Sequence, residues 1–243
     1  MDLPRQQHGT ATLYLGDCLD VIPTLDQVDT VLADPPYSSG GVFRGDRAQK
    51  VETKYCKDNG LPGFEGDARD QRGFLAWSRM WMAAARKITR PGGLILVFSD
   101  WRQVPITSDA LQTAGWVWRG IAVWDKTEAC RPQLGRYRNQ AEYLLWGTNG
   151  GRPTEGKTAP GVFQARVNPA EKKHITYKPV GLLMQALKLA GETVLDPFMG
   201  SGTAGIATLK TGRRYIGIEL DPHWYAVACD LIKAEAARRS LFD

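Results

Sequence analysis

Residues 193–205, TVLDPFMGSGTAG, decide the fold of this chain. A short apolar run ends at an acidic residue, a glycine-rich turn follows, and an apolar helical pattern begins directly after it. Gly200, Gly202 and Gly205 have the GxGxxG spacing, and Glu219 lies 19 residues past Gly200, at the end of the next strand-like run. In nucleotide-binding α/β proteins such glycines form the turn at the ligand, and the distant acid binds ribose hydroxyls. The stretch therefore predicts a strand–turn–helix unit that binds a nucleoside-containing ligand.

The same alternation of strand and helix extends through the chain. Apolar, β-favouring runs predict strands at 11–15, 30–32, 94–98, 117–124, 143–146, 193–195 and 215–218. Helical repeats lie within 74–88, 182–189, 204–209 and 224–232, and Pro91-Gly92-Gly93 is expected to close the first of them. This order predicts an α/β protein with a doubly wound, mostly parallel sheet. The runs 117–124 and 143–146 have no helix between them, so they predict an antiparallel hairpin at one edge.

Composition and charge narrow the possible partners. The chain has 243 residues, 43% hydrophobic and 23% charged, which is enough for one sizeable core. It lacks an apolar run of 18 residues and the layout of a signal peptide, so we expect a cytoplasmic protein without a membrane partner. Four widely spaced cysteines without a CxxC pair predict no metal site. Between residues 131 and 178 there are nine Lys/Arg against three Glu, which indicates nucleic acid or, equally, a solvated loop.

An acidic corner separates the strand from the first glycine. Residues 196–199, DPFM, stand before Gly200, whereas a dinucleotide-binding strand runs almost directly into its first glycine. The Asp196 carboxylate would repel a pyrophosphate, but it suits a ligand that carries an amino group and a sulfonium. S-adenosylmethionine is such a ligand, so the loop favours it as the cofactor. An NAD-dependent oxidoreductase is the alternative from another class of enzyme.

A second strand-like run also ends in an acidic corner, at residues 34–37, DPPY. Ligands bind beyond the carboxyl ends of parallel strands, so this corner and the glycine loop should face one crevice. An exocyclic amine of a base becomes nucleophilic when acceptors bind its N–H groups, and the Asp34 carboxylate and Pro35 carbonyl can do this. Pro35 and Pro36 make the corner rigid, and Tyr37 offers a flat face for an extruded base.

Taken together, these residues resemble the S-adenosylmethionine-dependent DNA amino-methyltransferases of the beta class, and the resemblance covers nearly the whole chain. It rests on LYLGDCLDVIP (13–23), DPPY (34–37), PGGLILVFSDW (91–101), WDKTEACRPQLGRYRNQAEYLLWG (124–147), HITYKPVGLL (174–183), LDPFMGSGT (195–203) and GRRYIGIELDPHWYAVA (212–228). It implies a Rossmann-like fold in which DPPY precedes the glycine loop, a circularly permuted order among methyltransferases.

The resemblance also implies roles for individual residues. The catalytic set would be Asp34, Pro35, Pro36 and Tyr37, and the cofactor set would be Asp17, Cys18, Lys178, Asp196, Phe198, Gly200, Ser201, Gly202, Thr203 and Glu219. Asp17 and Cys18 would lie at the adenine ring, and Lys178 would close over the methionine part. Without the resemblance, Asp17 indicates a helix cap, Cys18 a core residue and Lys178 a solvated side chain.

The resemblance implies DNA as the partner and admits a homodimer. It makes 1–243 a single catalytic domain, 38–72 a mobile loop after the catalytic motif, and 147–173 a short target-recognition segment. So short a segment suggests a short or degenerate target. Candidate DNA-binding residues are Arg131, Arg136, Arg138, Asn139 and Gln140. These could equally be hairpin residues that satisfy backbone groups.

Adenine N6 is the preferred target, because in the family that the chain resembles a corner that begins with Asp rather than Ser favours adenine. Cytosine N4 is the nearest alternative, since it is also an exocyclic amine. A non-enzymatic alternative is a nucleic-acid-binding subunit that keeps the fold without the activity. That alternative predicts decay in the catalytic corner, yet Asp34, Tyr37 and the glycines are all present.

Overall fold

The computed structural model of the protein describes residues 4–37, 69–130, 132, 134–166 and 178–239. The predicted mobile loop 38–72 therefore lies outside the described residues except at its end. The basic segment 147–173 is described as far as residue 166.

The described residues form nine strands of one sheet. Their bounds are β1 Arg5–His8, β2 Ala11–Leu15, β3 Val28–Ala33, β4 Thr89–Ser99, β5 Val117–Asp125, β6 Ala141–Thr148, β7 Val162–Gln164, β8 Thr193–Asp196 and β9 Arg214–Glu219. The order across the sheet is β1-β2-β9-β8-β3-β4-β6-β5-β7. The five strands that are adjacent in the order β2-β9-β8-β3-β4 pair in parallel. Strand β6 is antiparallel to both β4 and β5, and β1 is antiparallel to β2. The predicted mostly parallel α/β sheet is confirmed.

Helices cover both faces of the sheet. Their bounds are α1 Cys18–Val21, α2 Gln71–Ile88, α3 Val104–Thr113, α4 Val180–Ala186, α5 Thr203–Lys210 and α6 Pro222–Arg239, with 3-10 turns at Ile22–Thr24 and Leu187–Leu189. Buried side chains of α1, α2 and α3 belong to one hydrophobic cluster and those of α4, α5 and α6 to the other. The sheet is thus doubly wound. None of the helices in the described part of the chain is both long and apolar enough to span a bilayer.

The central strands supply side chains to both clusters. On β3, Val31 packs into one cluster and Leu32 into the other, and Ile95 and Leu96 do the same on β4. A strand buried on both faces has an apolar run without polar alternation. This explains why both strands were predictable from sequence.

Some elements differ from the sequence prediction. Pro91-Gly92-Gly93, expected to close a helix, lies inside β4, because α2 already ends at Ile88 and Thr89 has an extended backbone (φ −86°, ψ 130°). Strands β1 and β7 and helices α1 and α3 were not predicted. β7 pairs in parallel with β5, outside the predicted hairpin, and Trp124 Nε1 donates to the Ala165 carbonyl at 2.8 Å.

The two acidic corners lie at the same edge of the sheet, where the parallel strands end. β2, β9, β8, β3 and β4 are parallel, so their carboxyl ends lie at the same edge. The pairs Ser99–Tyr143 and Asp125–Ala141 bring the turn between β5 and β6 to this edge as well. Residues 126–140 are called here the hairpin loop, and those of them that the structure describes extend from the edge at which the two acidic corners end.

Candidate active site

The corner 34–37 follows β3 directly and is held by a buried lysine. Lys178 precedes α4 and is 5% exposed. Its Nζ donates to Asp34 Oδ1 at 2.9 Å, to Asp34 Oδ2 at 2.8 Å and to Tyr37 Oη at 3.2 Å. Tyr37 Oη donates to Asp34 Oδ1. Pro35 is buried, and Pro36 and Tyr37 are half-buried. The corner is thus held in one conformation, and its Asp34 carboxylate is already hydrogen-bonded to Lys178 and Tyr37.

A second carboxylate lies on the other side of Lys178. Glu142, near the start of β6, has its Oε2 3.3 Å from Lys178 Nζ and its Oε1 2.6 Å from Lys126 Nζ. The row of charges is Lys126, Glu142, Lys178 and Asp34, which alternate in sign. Sequence reasoning missed Glu142 and Lys126, because their partners are distant in the sequence.

The charges in this row shift one another's pKa. Burial raises the pKa of Asp34, although the charge and hydrogen bonds of Lys178 oppose it. Burial alone would lower the pKa of Lys178, but Asp34 and Glu142 together raise it. Burial alone would raise the pKa of Glu142, yet the ammonium groups of Lys178 and Lys126 lower it. Lys178 is therefore held as a cation between two acids.

The glycine loop follows β8, the strand next to β3. Its glycines are in the left-handed region, with φ +53° at Gly200 and +85° at Gly202, which favours glycine. A Cβ at Gly202 would lie 3.1 Å from Ala228 Cβ, whereas a Cβ at Gly200 would have no neighbour within 4 Å. Gly202 thus allows α5 to pack on α6, and Gly200 borders open space. Ser201 is buried and Thr203 begins α5.

Two carboxylates hold the glycine loop. Asp196 is 3% exposed and accepts hydrogen bonds from Phe198 N at 3.0 Å and Tyr215 Oη at 2.9 Å. Glu219 Oε2 accepts from Gly200 N at 2.7 Å, and burial raises the pKa of Glu219. The Phe198 ring packs on Trp77 and Trp81 of α2.

Burial of the Asp196 carboxyl raises its pKa to about 7, so that the group is partly protonated near pH 7. Hydrogen bonds from Phe198 N and Tyr215 Oη lower that pKa, and the nearby charge of Asp34 raises it. The two corners follow neighbouring strands, because β3 pairs with β8; that they face one crevice stays a prediction. A buried acid that has lost part of its charge is ready to be ionised by a cationic ligand.

The stability advantage of wild type over an Asp196→Asn variant is expected to fall as pH rises from about 4 to about 7. The folded protein keeps the proton of Asp196 until its pKa of about 7, but the unfolded chain loses it near the ordinary value of 3.8. The folded state therefore binds more protons in this window, and the free energy of unfolding falls by at most about 1.4 kcal/mol per unit of pKa shift. Urea unfolding of both proteins at about pH 5 and about pH 8 measures this difference. An equal difference at the two pH values would contradict the prediction.

The remaining candidates differ in how they are used. Asp17 caps α1 by accepting from Leu19 N at 2.9 Å, and Cys18 is buried in the core at 4% exposure. Both still lie at the functional edge, since Gly16 N donates to the Glu219 carbonyl at 2.9 Å. A contact of Asp17 and Cys18 with a ligand stays a prediction.

The DNA-binding candidates lie on the hairpin loop. Arg131 is outside the described residues. Arg136 and Asn139 are exposed. Arg138 donates to the carbonyls of Glu128 and Cys130, and Gln140 Nε2 donates to Asp125 Oδ1 at 2.7 Å. Arg138 and Gln140 thus shape the loop, and of the described candidates Arg136 and Asn139 remain to face a partner.

Comparison with known proteins decides the family. Residues 28–230 match the family model described as DNA methylase, N6_N4_Mtase, which is more than half of the chain. This chain belongs to that DNA methylase family. The protein YubD of Escherichia coli (strain K12) is 31% identical to this DNA methylase over 211 residues, which are 84% of this chain and 82% of YubD.

Solved structures show the same fold. The M1.HpyAVI–SAM complex aligns with a TM-score of 0.64 at 22% identity and covers 90% of this DNA methylase and 98% of that chain. PvuII DNA methyltransferase, described as cytosine-N4-specific, aligns with a TM-score of 0.65 at 15% identity and covers 97% and 96%. The circularly permuted order stays a prediction. No group of three metal-ligating side chains was found among the described residues.

Proposed function

We propose that this DNA methylase transfers a methyl group from S-adenosyl-L-methionine to the exocyclic N6 amine of adenine in DNA. The observation that carries the proposal is the pairing of β3 with β8, which sets the Asp34 corner beside the Asp196–Gly202 loop. A DNA amino-methyltransferase needs these two sites next to each other, because the amine must meet the methyl group in line.

The described residues fit the cofactor. The open space at Gly200 leaves room for a ligand against the loop backbone. The acidic surroundings formed by Asp196 and Glu219 at the glycine loop suit a cation and would repel a pyrophosphate, which argues against NAD. When bound, S-adenosylmethionine supplies a methyl group activated by its sulfonium. The M1.HpyAVI complex with SAM supports this choice of cofactor.

The chain's own residues would prepare the base. The Asp34 carboxylate and the Pro35 carbonyl each accept a hydrogen bond from one N–H group of the amine. These two hydrogen bonds direct the nitrogen lone pair away from the ring. Tyr37, fixed by its hydrogen bond to Asp34, stacks on the extruded base. The nitrogen gains the methyl carbon and gives up one proton, while the carbon–sulfur bond breaks. The protein positions the groups and the cofactor supplies the reactive bond.

The hairpin loop and the basic segment would contact DNA. The hairpin loop extends from the same edge as Asp34, and Arg136 is exposed on it. We include 147–173 as the target-recognition segment of a single catalytic domain spanning 1–243. Its small size supports a short or degenerate target.

The decisive experiment identifies the methylated nucleoside. Protein is incubated with methyl-labelled S-adenosylmethionine and DNA that contains no methylated bases, and the DNA is then digested to nucleosides. N6-methyladenine is the expected product. Label in N4-methylcytosine would instead support the alternative favoured by the likeness to PvuII DNA methyltransferase. No transfer to any DNA would support a non-catalytic nucleic-acid-binding subunit.

A further inference from the structure

Lys178 occupies the acceptors that a target amine would need. Its ammonium donates to both oxygens of Asp34, and Tyr37 donates to one of them. A base amine that binds Asp34 must compete with this ion pair. The ammonium cannot simply be left without a partner, because an unpaired buried charge is strongly destabilising. A second acceptor within its reach is therefore needed.

Glu142 has the geometry of that second acceptor. Its Oε2 lies 3.3 Å from Lys178 Nζ, which is ion-pair distance. The same buried atom makes no hydrogen bond of normal geometry with the described residues, so it can still accept one. The other oxygen of Glu142 is held by Lys126 at 2.6 Å. Lys126 thus fixes the carboxylate while leaving Oε2 directed at Lys178.

We propose that Glu142 is a positioning residue that takes over Lys178 when the target amine binds Asp34. The inference rests on the proposed function, since it assumes that an amine enters at Asp34. The Lys178 ammonium, which contacts both Asp34 and Glu142 in the free protein, moves to a hydrogen bond with Glu142 Oε2. Asp34 then accepts a hydrogen bond from the base amine in place of the one from lysine. Both half-buried carboxylates stay paired with a donor throughout the exchange.

The arrangement balances the charges of the site in the free protein. Lys126 and Lys178 balance Asp34 and Glu142 in charge, so the row is neutral before the base arrives. Lys178 Nζ also lies 5.4 Å from the Tyr37 ring centroid and 5.2 Å from that of Phe98. A shift toward Glu142 would leave the space beside the Tyr37 ring for the base.

A double-mutant cycle tests the exchange. Glu142→Gln keeps the size of the side chain but leaves Lys178 with Asp34 as its one charged partner. The single-turnover rate at saturating DNA is expected to fall by about 10- to 100-fold, the range for directly coupled charges. The Kd for S-adenosylmethionine is expected to change by less than about threefold. Glu192→Gln, an exposed change just before β8 and at the opposite end of that strand from the site, is the matched control and should transfer at the wild-type rate.

The second side of the cycle is Lys178→Met, which removes the competing cation. If Glu142 acts through Lys178, the double variant should transfer as fast as Lys178→Met alone, within about threefold. If the fold-losses of the two single variants multiply in the double variant, the inference is overturned, because Glu142 would then act independently of Lys178. Loss of transfer accompanied by loss of cofactor binding in Glu142→Gln would also overturn it. Wild-type protein that methylates no DNA would refute the proposed function itself, and this result is read before any variant.

A structure of the wild-type protein with sinefungin and target DNA supplies a readout that does not depend on turnover. Lys178 Nζ is expected within about 3.2 Å of Glu142 Oε2 and beyond hydrogen-bond distance of Asp34, which the base amine then contacts. A flipped base in the pocket with Lys178 still bonded to both oxygens of Asp34 would overturn the inference.

Discussion

Replacing Asp34 with asparagine is expected to lower methyl transfer to DNA by about 100- to 1,000-fold, the loss typical of removing one preorganised hydrogen-bonding group from an active site. Asparagine keeps the shape of the corner and can still accept from Tyr37. It lacks the negative charge that draws the amine lone pair toward the methyl group. Single-turnover transfer of labelled methyl groups to DNA measures the loss.

Cofactor binding separates this interpretation from a general loss of folding. Asp34 directly follows β3, the neighbour of the strand that leads into the glycine loop, and makes no hydrogen bond to that loop among the described residues. The Kd for S-adenosylmethionine should therefore stay within about threefold of wild type. Asp109→Asn, at an exposed position of α3, is the control for a charge change elsewhere. If Asp34→Asn abolished cofactor binding, the corner would belong to the cofactor site and its assignment to the base would be wrong.

Local patterns account for what could be predicted from the sequence. The seven predicted strands are runs in which a buried strand has apolar residues on one or both faces, and this pattern is readable without a structure. The glycine loop was predictable because glycine at positive φ leaves few alternatives at Gly200 and Gly202. β7 was missed because three residues inside a glycine- and proline-rich segment carry no periodic signal.

The row of charges formed by Lys126, Glu142, Lys178 and Asp34 could not be predicted, because it depends on contacts between distant parts of the sequence rather than on a local pattern. Lys178 and Asp34 are separated by 144 positions, and only the sheet order brings them together. Glu142 stands at the start of an apolar strand, where an acid usually indicates nothing more than a solvated strand end. The role proposed for Glu142 depends on two lysines from other segments. The sequence could therefore identify the corner proposed to bind the base, but not the second carboxylate beside its lysine.

The acidic character of the site also links its two halves. Asp34, Asp196 and Glu219 are all buried enough for burial to raise their pKa values. In the free protein, Lys178 neutralises the first and protonation can neutralise the second. A cationic cofactor would favour the ionised form of Asp196, so binding is expected to release a proton near pH 7. Asp196 and Glu219 thus hold the folded loop, and in the proposed complex they would also favour a cationic ligand.

Two glycines of one loop should fail in different ways when each is replaced by alanine. Both have positive φ, so both variants should lose about 1–2 kcal/mol from backbone strain. Gly202→Ala should lose a further 1–3 kcal/mol or so, because its Cβ would lie 3.1 Å from Ala228 Cβ and 3.2 Å from Ile232 Cδ1. Gly200→Ala has no such contact. Its Cβ would enter the space proposed for the cofactor, and the Kd for S-adenosylmethionine should rise by roughly 10- to 100-fold.

Urea unfolding and calorimetric titration, each applied to both variants, separate packing from binding. Gly202→Ala should show the larger fall in unfolding free energy, and Gly200→Ala the larger loss of affinity measured well below its unfolding transition. Gly156→Ala is the matched control, since Gly156 has positive φ (+101°) and a Cβ there would meet no described atom within 4 Å. It should share the strain without the loss of affinity. Equal affinities for Gly200→Ala and Gly156→Ala would show that the open side of the glycine loop does not face the cofactor.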